Sequence, residues 1–253
     1  LQSLMRVKLL QERSLNEEAQ RQLQGIRTEA HAAENHLVEY LAYRTELNFL
    51  SEMDFELLTD QQLIGRQMKA KEILRRINHI QDHYSLFELL KYRVVKKGKI
   101  TSEEKEKSLH DLMLSEMALV AGKAKNSFAS QKLHLLFQSF FFTDVGDFQS
   151  AFKTFNALNK LFEENLHLLD QPPLDYLSAL AGILDSLHIL NRYEQMIYYI
   201  TKLKQLDASG YPEHFRYQIK KMVAVYQLVM LINENKPTEA WQLQQSFPPE
   251  LLR

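Results

Sequence analysis

Along most of this chain, apolar residues recur at intervals of three and four, the spacing of a helix with one buried face. Leu180, Ile183, Leu184 and Leu187 form one such stripe, and Ala224, Leu228 and Leu231 form another. Read this way, the pattern predicts helices near residues 2–11, 16–31, 34–52, 60–79, 82–97, 102–123, 127–143, 147–169, 173–190, 193–206, 212–234 and 237–246. Thr101-Ser102-Glu103-Glu104 and Asp170-Gln171-Pro172-Pro173-Leu174-Asp175 have the residue types of helix starts. Lys97-Gly98-Lys99 and Ser209-Gly210 have those of helix ends. Every proline lies at or beyond Pro172, so nothing in the first 171 residues breaks a helix in that way.

A longer period lies over the helical one. Leu135-Leu136-Phe137-Gln138-Ser139-Phe140-Phe141-Phe142 precedes Gly146-Asp147-Phe148, then Ala151 and Phe155. The same order returns as the 180–187 stripe, Asn191 at the turn, then Tyr193, Met196 and Ile200. A third copy has Asn235, Ala240 and Gln244 after the Ala224 stripe. The small-residue positions Ala151, Met196 and Ala240 are thus 45 and 44 residues apart. Upstream, Ala19 after the turn at Ser14-Leu15-Asn16 lies 132 residues before Ala151, three steps of 44, with intermediate steps near Leu63 and Glu106.

This order resembles the tetratricopeptide repeat: a large and a small residue in a first helix, a turn glycine, then a small residue and an aromatic in the second. Gln138 stands where that pattern has its large residue, and the usual closing proline is missing. The standard repeat is about 34 residues, so the chain is similar to bacterial tetratricopeptide-like proteins with longer repeats of about 44. The resemblance implies an all-α fold, an α-α superhelix of about six antiparallel helix hairpins. It runs as one domain over residues 1–253, with the clearest repeats at 130–247. It also implies a concave groove lined by first helices that binds a peptide or amphipathic helix of a partner, and hence a scaffold or regulator. Carried over position by position, the groove residues are Leu133, Leu136, Phe140 and Thr143, then Ser178, Ala181, Asp185 and His188, then Met222, Val225, Val229 and Ile232. The lysine and arginine pair with which some relatives clamp a carboxylate is missing, so a largely apolar partner is expected. A groove this apolar could also be the interior of a tightly wound stack or close a homodimer.

Composition adds exclusions. The 253 residues contain no cysteine, which removes disulfides and thiolate chemistry and fits a cytoplasmic setting. Seven glycines spread along the chain cannot form a phosphate-cradling loop, and no nucleophile elbow or acidic metal loop is present. No catalysis and no cofactor are expected. Formal net charge is −1, and no apolar run reaches the length of a membrane span, so no membrane insertion is expected. The chain begins at Leu1 rather than methionine and is read as open to an upstream segment.

Charge is uneven. Residues 66–99 carry ten basic and three acidic residues, and residues 1–60 carry six basic and eleven acidic. Arg66, Lys69, Arg75, Arg76, Lys91, Arg93 and Lys96, with Tyr84 and Tyr92 among them, are candidates for an anionic partner. The alternative function is therefore a helical repeat that binds nucleic acid through this segment, against ordinary solvated helix faces. His79 and His83 sit four apart, as metal ligands on a helix would, but Ile80 stands where a zincin has glutamate. Helix-junction polar residues are the plainer reading. The phenylalanines at 137 and 140–142 suggest an enclosed helix, and Trp241 is expected to cap the end of the core.

Overall fold

The computed structural model describes residues 2–53, 55, 58–97, 102–121, 127–207 and 210–247, without the side chains of residues 97 and 102–108. Thr101, Ser209, Gly98, Lys99 and the side chain of Glu106, used in the expectations above, fall outside that set. The described residues are all-helical: α1 (Gln2–Glu12), α2 (Asn16–Ala32), α3 (His36–Glu52), α4 (Asp60–Lys97), α5 (Ser102–Val120), α6 (Phe128–Val145), α7 (Phe148–Glu164), α8 (Leu174–Ile189), α9 (Tyr193–Asp207), α10 (Glu213–Asn233) and α11 (Pro237–Ser246). No helix among them is long and apolar enough to cross a membrane.

The main departure from the expected elements is α4. The predicted helices 60–79 and 82–97 are one helix of 38 residues. Ile80 and Gln81 at the supposed junction include no glycine, proline or capping residue, so the backbone hydrogen bonds continue through them. The opposite happens after α7, where the side-chain amide of Asn165 donates to the Leu161 carbonyl, its backbone N–H to the Phe162 carbonyl, and the chain leaves the helix for a short 3₁₀ turn at Leu166–Leu168.

The turns follow the chemistry of their residues. Gly146, Asn191 and Asn235 all adopt left-handed backbone, with φ of 83°, 56° and 58°. Each ends a helix, at the turn positions of the three clearest sequence copies. Asp147 and Asn35 then cap the next helices by accepting from Ser150 N and Val38 N.

Packing divides the chain into two compact units, Leu1–Leu86 with Leu114–Leu133, and Phe87–Met113 with His134–Arg253. In the first, α1, α2 and α3 pack in succession around Val7, Ala19, Leu23, Ile26 and Ala42. The carboxylate of Glu34, itself left-handed, accepts from the amide of Phe128 at the start of α6.

In the second unit, α7 through α11 pack each against the next, and α8 also touches α10. Leu180, Ile183, Leu184 and Leu187 on α8 are wholly buried, each worth about 1.5–3 kcal/mol. Gly182, on the same helix, receives the Phe155 ring of α7 so closely that a methyl group there would run into ring carbons. Ala151, Met196 and Ala240, the small-residue positions, are all buried. Polar links join alternate helices. Arg192 donates to Gln149 at 2.7 Å and the Tyr199 hydroxyl to Asn156 at 3.0 Å, each across 43 residues. On α10, the Tyr226 hydroxyl reaches Asp185 and the Ala181 carbonyl of α8, 41 and 45 residues away.

Candidate functional site: an apolar helix face and a charged cleft

The groove positions carried over by resemblance separate into two sets. Leu133 and Leu136 are buried, so neither offers contact area to a partner. Phe140 is 37% exposed, and its ring lies among Phe87, Phe155 and the Lys91 ammonium. Thr143 is exposed, but its hydroxyl donates back to the Ser139 carbonyl. The α6 aromatics therefore divide, with Phe137 and Phe141 inside the unit and Phe140 at its surface.

On α8, Asp185 and His188 are exposed. Asp185 accepts from the Tyr226 hydroxyl at 2.7 Å. Burial, then the hydrogen bond to Asp185, pushes the Tyr226 phenol far above its ordinary range, so it stays a donor at any physiological pH. The His188 ring packs edge-on against Tyr193. On α10, Val225 is 47% and Ile232 is 67% exposed, with Val229 half-buried between them. Spacings of four and three put these three side chains in one row along the helix.

A second apolar surface was invisible to the repeat pattern. Between α9, α10 and α11 runs a trough of about 550 Å³, lined by Ile197, Ile200, Met230, Leu231 and Leu243 with Glu234 and Glu239 among its polar residues. Trp241 does not cap the core. It is 61% exposed, because Ala240 is the inward residue of α11 and the next position is rotated by about 100° around the helix.

The first unit has a corresponding cleft between α2, α3 and α4, but a charged one. It has a volume of about 430 Å³ and is lined by Arg27, His31, Glu39, Tyr43, Lys69, Glu72 and Arg76 with the buried Ile73. Buried Glu46 on α3 takes hydrogen bonds from Arg27 of α2 and, at 3.2 Å, Arg66 of α4. Glu72 pairs with both Lys69 and Arg76, and the Arg76 bond holds its carboxyl below the usual range.

Most anionic-partner candidates therefore already have protein contacts. Arg66, Lys69 and Arg76 pair as above, and Arg93 donates to both oxygens of Asp111 at 2.7 and 3.0 Å. Lys91 lies over the Phe87 ring and Lys96 over Tyr92. Arg75 is exposed. The predicted basic face is thus a series of ion pairs and cation–π contacts, of which the ion pairs offset part of its charge.

His79 and His83 do share a face of α4, with their rings edge to face at 4.7 Å. A carboxylate from another helix meets one of them: Glu116 of α5 lies 3.5 Å from His83 Nδ1, both buried. His79 Nε2 instead faces the Leu119 carbonyl at 3.5 Å. Among the described residues no three His, Asp or Glu side chains converge to hold a metal ion. Comparison with known protein families, with curated proteins and with solved structures finds no match for this chain.

Proposed function

We propose that this protein is a helical-repeat scaffold of tetratricopeptide-like, superhelical design that binds an amphipathic helix of another protein. The observation that carries this reading is the exposed row Val225, Val229 and Ile232 on α10. A helix with apolar residues at matching spacings of four and three can pack its ridge along that row. Lys221, exposed one turn before it on the same side of α10, gives the row a positive end, which orients a partner helix that carries an acidic residue. The links at separations of 41 to 45 residues support the repeat reading, since those separations lie close to the period of about 44 in the sequence. The nucleic-acid alternative draws less support, because carboxylates offset the charge of Arg66, Lys69, Arg76 and Arg93 and leave α4 less to offer a long polyanion.

The test is affinity capture from native extract, followed by binding of a synthetic helix from each captured protein to the full chain. Val225→Asp and Ile232→Asp are expected to weaken that binding at least tenfold while leaving circular dichroism unchanged. Binding that is indifferent to both substitutions would move the partner elsewhere. Sedimentation of the chain alone, showing a dimer broken by the same substitutions, would make a second copy the occupant.

A further inference from the structure

We infer that the charged cleft between α2, α3 and α4 is a binding site for a small phosphate-bearing ligand, separate from the α10 face. The reasoning is a count of donors against acceptors. Arg27, Lys69 and Arg76 line the cleft, and their three cationic groups carry roughly thirteen N–H donors between them. Few of these donors have a protein acceptor. Arg27 gives Nη1 to Glu46, Arg76 gives Nη2 to Glu72, and Lys69 meets Glu72 at 3.5 Å. Thr28 spends its hydroxyl proton on the Gln24 carbonyl.

Each carboxylate of the cleft already meets a nitrogen, though the second oxygen of Glu39, buried 3.5 Å from His36 Nδ1, has no hydrogen bond. Glu72 serves two cations, and Glu39 accepts from the His31 ring at 3.1 Å. The cleft is therefore rich in donors and short of acceptors, and a ligand that brings several oxygens with negative charge complements it. The arginines are positioned for this before any ligand arrives. The Arg27 guanidinium is stacked over Tyr43 at 4.9 Å, and the Arg76 side chain is only 17% exposed. A preset fork loses less entropy on binding than a mobile lysine would. Three cations stand against two carboxylates at the lining, a balance that suits a small mono- or diphosphate rather than a long polyanion. The volume of about 430 Å³ exceeds a bare phosphate, so the cleft has room for the rest of a small organic phosphate.

Pyrophosphate is the probe, titrated into the full chain by calorimetry at fixed ionic strength with chloride as the balancing anion. The expected result is saturable binding at one site. Lys69→Met and Arg76→Met are each expected to weaken it about tenfold or more, the worth of a charge-assisted hydrogen bond. Arg75→Met, one residue away on the outer side of α4, is expected to change nothing. Because Lys69 is exposed, its variant keeps the test open if the Arg76 variant folds poorly. No saturable heat, an equal loss in the Arg75 variant, or tighter binding of single-stranded RNA than of pyrophosphate would overturn the assignment.

Discussion

At the residue scale, the turns show most directly how side-chain chemistry becomes structure. Gly146 turns left-handed, and Asp147 then caps α7 with its carboxylate. Hydrogen bonds from the Ser150 hydroxyl and amide hold that carboxyl below the usual aspartate range. A group whose folded-state pKa is depressed contributes stability above its unfolded value and loses it as pH falls through the folded value. Asp147→Ala is accordingly expected to cost about 1 kcal/mol at neutral pH. Urea denaturation should then show the two proteins converging as pH falls below the usual aspartate range and through the lowered folded value, where the carboxyl is protonated in both states. A difference that persists unchanged into acid would exclude the charge as its source. Gly146, Asn191 and Asn235 were legible in advance because few residues accept left-handed backbone. Ser14, in the predicted turn at Ser14-Leu15-Asn16, does the same without being glycine or asparagine, and so do Glu34 and Phe55, which no sequence signal marks.

At the element scale, the contact of α7 with α8 depends on a missing side chain. Phe155 occupies the space that a Cβ on Gly182 would need. Alanine is worth up to about 1 kcal/mol more than glycine inside a helix, yet overpacking a tight contact costs about 1–3 kcal/mol. Gly182→Ala should therefore lower stability by about 1–2 kcal/mol on balance, measured by chemical denaturation. A stabilised variant would mean that the ring can move aside freely. Nothing in the periodicity selects Gly182, since a glycine in a helical stripe is read as a weak position until its neighbour is seen. The length of α4 was misjudged for a related reason. Polar residues such as His79, Gln81 and Asp82 look like a junction, but polarity does not end a helix unless a side chain competes for the backbone.

At the scale of the whole molecule, protection should follow burial along the chain. In α8 the residues Leu180, Ile183, Leu184 and Leu187 are wholly enclosed, whereas Val7 is the one buried residue described in α1 and Ala240 the one in α11. Local opening is least costly where few apolar contacts are lost. Native-state hydrogen exchange is expected to find the slowest amides in α8 and the fastest helical ones in α1 and α11, including those around the exposed Trp241. Comparable protection in α11 and α8 would point to a cover over the α9–α11 trough.

Most of the helices, the left-handed ends at Gly146, Asn191 and Asn235 and the inward residues Ala19, Ala151, Met196 and Ala240 followed from sequence alone, because backbone geometry and a period of 3.6 residues act over a few positions. The ion pairs and the fate of the apolar stripes did not. Arg27 and Arg66 meet Glu46 across 19 and 20 residues, and Glu116 meets His83 across a longer span, so only packed helices decide which charges are neutralised. In the same way Leu133 and Leu136 are covered while Val225 and Ile232 are not. The spacing within a helix says which side chains share a face, and the presence of a neighbouring helix decides whether that face is core or surface.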